Sequence, residues 1–96
     1  MSGTQTTSEA SAAARQMASE FLSELPTVIR QKMLRASTDE GGVLIERRAD
    51  GCQWSLDIRR DGSLHVVEVE GYGAMGREVA ELPRAARMLL TWLEVH

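Results

Sequence analysis

A single cysteine, Cys52, excludes an internal disulfide and any zinc site built from cysteines. No apolar run approaches the roughly 20 residues that span a bilayer, and the N-terminus lacks the basic and apolar regions of a signal peptide. The net charge of −3 is too small to predict electrostatic steering toward nucleic acid. We therefore expect a cytoplasmic protein and leave export without a signal peptide open.

The length of 96 residues predicts one domain with one modest core. Residues 1–6 are small and polar and are predicted to be disordered. Thr6-Thr7-Ser8-Glu9 fits a capping box, in which a hydroxyl and a carboxylate satisfy the first free N–H groups of a helix. The predicted domain therefore covers residues 7–96.

Apolar residues at helical spacing predict a first helix that ends at Pro26 and a second that ends at Gly41-Gly42. A last helix is predicted over about residues 77–95, and its apolar face is wider than one sheet contact requires. Leu82, Ala86, Leu89 and Leu93 form one apolar arc of this helix, and Met88, Trp92 and Val95 form a second. One arc is expected to cover the sheet and the other to meet the first helix or a second chain.

Two Asp-Gly pairs, Asp50-Gly51 and Asp61-Gly62, indicate tight hairpin turns between alternating apolar residues. If both are two-residue loops, Ile45 lies opposite Leu56, and Leu56 lies opposite Val67. The resulting fold class is α+β in the order α-α-β-β-β-α. It is a three-stranded antiparallel meander with the helices on one face.

The predicted register leaves the second face of the sheet open, with charged residues and a few aliphatic ones. A partner is predicted to bind through this open face or through the last helix. The candidate residues are Leu44, Arg48, Gln53, Asp57, Arg59, Leu64, Val66, Glu68, Glu70, Met88 and Trp92. A partner strand paired to the strand at 43–48 or at 64–70 is the alternative binding mode.

No catalytic residue, metal or cofactor is predicted. Gly71–Gly76 spells G-x-G-x-x-G, but the strand before it is antiparallel and no second strand follows, as a dinucleotide fold requires. Cys52 and His65 are about 20 Å apart in the predicted register, which is too far for a nucleophile and its base. The carboxylates Glu46 and Glu68 lie on an open face that excludes no water.

These absences favour a non-enzymatic protein–protein interaction module, such as an adaptor, a chaperone, an inhibitor or an immunity-type protein. The alternative is a nucleic-acid-binding domain, because a helix, three strands and a helix is also the order of the double-stranded-RNA-binding domain. Where that family has a lysine cluster, residues 76–81 have one basic and two acidic side chains. A small enzyme or ligand-binding domain is the third hypothesis, and a homodimer and a monomer both remain open.

Overall fold

Five antiparallel strands form one sheet in a computed structural model that describes residues 9–96. In chain order the elements are α1 (Ala12–Ser23), α2 (Thr27–Arg30), β1 (Leu34–Ser37), β2 (Val43–Ala49), β3 (Cys52–Ile58), β4 (Leu64–Glu70), β5 (Gly73–Val79) and α3 (Leu82–Val95). The strands follow one another across the sheet as β1-β2-β3-β4-β5, so the sheet is a meander. The α+β class is confirmed, and the predicted three strands are corrected to five.

Both additional strands lie in segments where the sequence pattern predicted something else. The predicted second helix shrinks to α2, and Leu34–Ser37 pairs with β2 as an edge strand. The segment after Gly71 was predicted as a connection and helix start, but Gly73–Val79 pairs with β4 along its whole length. Cross-strand pairing outweighs weak helical propensity in such short segments.

The first helix begins later than the capping box predicted. Ser11 is its N-cap, and the Ser11 Oγ accepts a hydrogen bond from the Ala14 N–H at 3.1 Å. The same hydroxyl donates to the Arg60 carbonyl at 2.9 Å, so the cap also joins the helix to the β3–β4 loop. The predicted disorder of residues 1–6 and most of the capping box lie outside the described residues.

The hairpin between β2 and β3 confirms the two-residue turn. Asp50 and Gly51 have φ angles of +53° and +76°, the positive values that this turn needs at both positions. Ala49 therefore pairs with Cys52, and Ile45 pairs with Leu56, as the register predicted.

The second Asp-Gly pair forms a longer loop, and the prediction for it is wrong. Gly62 has φ +91° and Asp61 does not have a positive φ. The Gly62 N–H donates to the Arg59 carbonyl and the Arg59 N–H donates to the Ser63 carbonyl, each at 2.9 Å. This pattern is typical of a three-residue loop with a glycine bulge. The loop therefore has one residue more than predicted.

The longer loop slips the β3–β4 register by one residue, which reverses both faces of β4. Leu56 pairs with Val66, not with Val67. Leu64 and Val66 were predicted on the open face, but they are core residues with 2% and 1% of their surface exposed. Glu68 and Glu70 move with them to the side of the sheet that the helices cover.

We call that side the helix face and the opposite side the open face. Phe21 of α1 stacks on Trp54 of β3, with ring centroids 6.0 Å apart and ring planes 9° from parallel. From α3, Ala85, Leu89 and Trp92 are buried against the same core. Trp92 is 4% exposed, so this member of the second apolar arc of the last helix belongs to the core.

Candidate partner-binding surface

The residues predicted to bind a partner do not form one surface. Strand pairing places Leu44, Arg48, Gln53, Asp57 and Arg59 on or beside the open face. Leu64 and Val66 lie in the core and drop out of the surface. The structure brings the remaining residues together on the helix face, where Glu68 and Glu70 of β4 lie near Met88 and Trp92 of α3.

The polar side chains of the open face largely satisfy one another. Arg59 binds Glu78 through both guanidinium Nη atoms, with N–O distances of 3.1 Å, and its Nη2 lies 2.8 Å from His65 Nδ1. The Gln53 amide donates to a Glu46 carboxylate oxygen at 2.8 Å. Arg59, Glu78, Gln53 and Glu46 are therefore already paired within the open face.

A cleft of about 480 Å³ lies between one side of α3, from Arg84 to its C-terminal end, and the strands β4 and β5. We call it the α3 cleft. Its lining residues come from the helix face of the sheet and from one side of α3: Glu68, Glu70, Arg77, Arg84, Arg87, Met88, Thr91, Trp92, Val95 and His96.

Aromatic rings support one end of the α3 cleft. The Trp92 indole and the His96 imidazole lie 4.5 Å apart between centroids, tilted by 32°. His96 Nε2 lies 3.2 Å from a Glu70 carboxylate oxygen, which ties the end of α3 to the end of β4. The Trp92 Nε1–H is buried and has no acceptor among residues 9–96.

The arginines of the α3 cleft differ from those of the open face in their partners. Arg77 lies on the helix face of β5, because it pairs with Val66, and Arg84 and Arg87 lie one turn apart on α3. None of these side chains forms a salt bridge or hydrogen bond with another described residue, in contrast to Arg59. The three arginines of the α3 cleft therefore have no charged or hydrogen-bonding partner among residues 9–96.

The α3 cleft continues to the free edge of the sheet. A second depression, of about 340 Å³, is lined by Glu68, Glu70, Gly73, Ala74 and Met75, so it shares both glutamates with the cleft. Met75 of β5 is 64% exposed and Tyr72 in the β4–β5 turn is fully exposed. Large apolar side chains that are exposed beside a groove are typical of interaction sites.

Strand β5 is one of the two edges of the sheet, and β1 is the other. The strands at 43–48 and 64–70, which were predicted to be the edges, are interior and paired on both sides. β1 has 4 residues, whereas β5 has 7 and contains no Pro or Lys. Short length is one of the usual protections of an edge, so β5 is the edge that offers the longer run of backbone to a partner strand.

The described residues show no constellation for metal binding or nucleophilic catalysis. Between residues 9 and 96 no group of three or more His, Cys, Asp or Glu could hold a metal ion. Cys52 pairs with Ala49 on the helix face and His65 pairs with Asp57 on the open face, so the sheet separates them. In the same part of the chain no helix has the length and apolar character needed to cross a bilayer.

The chain matches no protein-family model, and neither a curated protein nor a solved structure shows significant similarity to it. A function must therefore be argued from the residues themselves.

The sequence prediction missed Arg77, Arg84, Arg87, Tyr72 and Met75. The signal in the sequence was Gly71 directly after the β4 pattern; in the structure it begins a two-residue turn with φ +44° between strands of equal length. A Gly at the first turn position is typical of a hairpin loop. Had this turn been recognised, β5 would have become the edge strand and Met75 an edge residue.

Proposed function

We propose that this chain is a non-enzymatic protein–protein interaction module, of the adaptor, chaperone, inhibitor or immunity type. Its partner would contact the α3 cleft and the adjoining edge of β5. The last helix takes part in binding, as the sequence predicted, but the helix face of the sheet takes the role that the sequence assigned to the open face.

One observation carries the proposal. Large apolar side chains are exposed in and beside a cleft whose arginines lack partners among the described residues. Val95 lines the α3 cleft, Met75 lines the adjoining depression, and Tyr72 lies in the turn next to it. Protein interfaces combine an apolar centre with a polar rim and are enriched in Met, Tyr, Trp and Arg. On the open face, by contrast, Arg59 is paired with Glu78 and Gln53 is paired with Glu46.

Site-specific photo-cross-linking in cells that make the protein tests the proposal. The photoreactive residue replaces Tyr72, which lies in the β4–β5 turn between the lining residues Glu70 and Gly73. In a control it replaces Val28, which is 71% exposed on α2 and lines neither the α3 cleft nor the adjoining depression. We expect one partner protein to be captured from position 72 and not from position 28.

Binding of the captured partner to the purified chain provides the second measurement. Met75→Glu should weaken binding about tenfold or more, because it places a charge in the apolar centre. Val28→Glu, at a similarly exposed position, should leave it unchanged. Equal capture from both positions, or an equal effect of both substitutions, would place the interface elsewhere.

A further inference from the structure

We infer that the partner supplies an extended, acidic segment that adds to the sheet as a sixth strand along β5. The inference rests on the proposed function and specifies the chemistry of the partner at that same site. It follows from the hydrogen bonding of β5, the charges beside it and the composition of its helix face.

The backbone of β5 provides the hydrogen-bonding groups. In an antiparallel pair only alternate residues direct their N–H and C=O groups toward the neighbouring strand. The other N–H and C=O groups of Gly73–Val79 point away from β4. Among the described residues, no backbone hydrogen bond outside the β4–β5 ladder uses them. An added strand of similar length would satisfy these groups.

The charge beside β5 selects the partner. A new strand next to β5 would have its helix-face side chains adjacent to Arg77 and near Arg84 and Arg87 across the α3 cleft. Acidic side chains on that face would pair with these arginines, and an apolar side chain would cover Met75. The nearby Glu68 and Glu70 lie one strand further from the edge, and Glu70 already contacts His96.

The same reasoning disfavours a second copy of this chain. Two identical edge strands that pair antiparallel place the same faces on the same side of the sheet. The helix face of β5 consists of Gly73, Met75, Arg77 and Val79, so it has no carboxylate to offer another Arg77. An acidic strand from a different protein complements this face, whereas a second β5 does not.

Labelled nine-residue peptides test the inference with the full chain. The acidic probe has the sequence TLTETETLT, which places two Glu and two Leu on one face of a strand, and the control TLTKTKTLT replaces the acids by lysines. We expect the acidic peptide to bind and the lysine peptide to bind at least about tenfold more weakly, the size of one interfacial charge pair. Arg77→Glu should reverse this preference, and Arg35→Glu on the opposite edge should not.

A separate measurement tests whether the peptide backbone pairs with β5. Amide hydrogen exchange should slow within residues 73–79 when the acidic peptide binds. N-methylation of the alternate peptide amides whose N–H groups would face β5 should abolish binding. This control leaves the protein itself unchanged. Equal binding of both peptides, or binding without added protection in β5, would overturn the inference.

Other occupants would also overturn the inference. Sedimentation that shows a dimer with β5 protected in the absence of peptide would assign the edge to a second copy. Salt-sensitive binding of double-stranded RNA that Arg77→Glu abolishes would assign it to nucleic acid. If Met75→Glu weakens binding of the cross-linked partner but the acidic peptide does not bind, the result supports the proposed function and refutes strand addition.

Discussion

The neighbouring residues Val66 and Val67 test the β3–β4 register, because only one of them can face the core. Val66 is 1% exposed and pairs with Leu56, whereas Val67 is half-buried on the open face and pairs with Ser55. Each Val→Ala substitution removes the same atoms from the same strand, so any difference in intrinsic strand propensity cancels.

The expected effect of Val66→Ala follows from burial. The substitution removes the equivalent of two CH2 groups from the core, and each contributes about 0.8 kcal/mol of burial free energy. The cavity that remains adds to this loss. We therefore expect Val66→Ala to lower the free energy of unfolding by about 2–3 kcal/mol, and Val67→Ala by less than about 1 kcal/mol.

Urea unfolding followed by tryptophan fluorescence measures both values, since Trp54 and Trp92 are buried in the native state. In a domain of this size 1 kcal/mol corresponds to about 4–8 °C in Tm, so thermal unfolding provides an independent check. A larger loss for Val67→Ala than for Val66→Ala would refute the reasoning. It would show that Asp61-Gly62 forms a two-residue loop, with Val67 opposite Leu56.

Two further predictions concern loops. Gly42→Ala should destabilise the fold more than Gly51→Ala in thermal unfolding, because a Cβ at Gly42 would collide with the Ile58 carbonyl oxygen. At Gly51 the positive φ is the main cost, since nothing lies within 4 Å of its Cβ position. Hydrogen bonds from the Ser63 backbone N–H, and then from its hydroxyl, hold the pKa of Asp61 below its ordinary value of 3.8. The stability from this carboxylate is therefore present above pH 3.8 and is lost as pH falls through the native-state pKa. The wild type should lose its advantage over Asp61→Asn in acid, and an advantage independent of pH between 2 and 6 would contradict this assignment.

The candidate site depended on the parts of the fold that were hardest to predict. Glu68 and Glu70 were predicted on the open face and Met88 and Trp92 on the last helix, yet all four line the α3 cleft. Arg77 and Met75 were missed because their segment was interpreted as a helix start and a connection. The open-face residues Arg59 and Gln53 were predicted in position, but their side chains pair with Glu78 and Glu46.

Local pattern alone determined the α+β class, the ends of β2 and β3 and the type of turn between them. Asp50-Gly51 needs no distant contact to form its turn, since both residues tolerate positive φ. The alternation of Val43, Ile45, Trp54 and Leu56 then identified one buried face without further information.

Tertiary structure decided the features for which two local conformations were nearly equal in energy, namely the loop length at Asp61-Gly62 and the strands β1 and β5. A loop of two or three residues around Asp61-Gly62 is compatible with the same sequence, and burial of Leu64 and Val66 under the helices selects the longer one. Leu34–Ser37 and Gly73–Val79 have no strong propensity of their own and become strands because β2 and β4 offer them partners. A one-residue slip in a strand exchanges its two faces, so small differences in packing energy determined which residues form the surface.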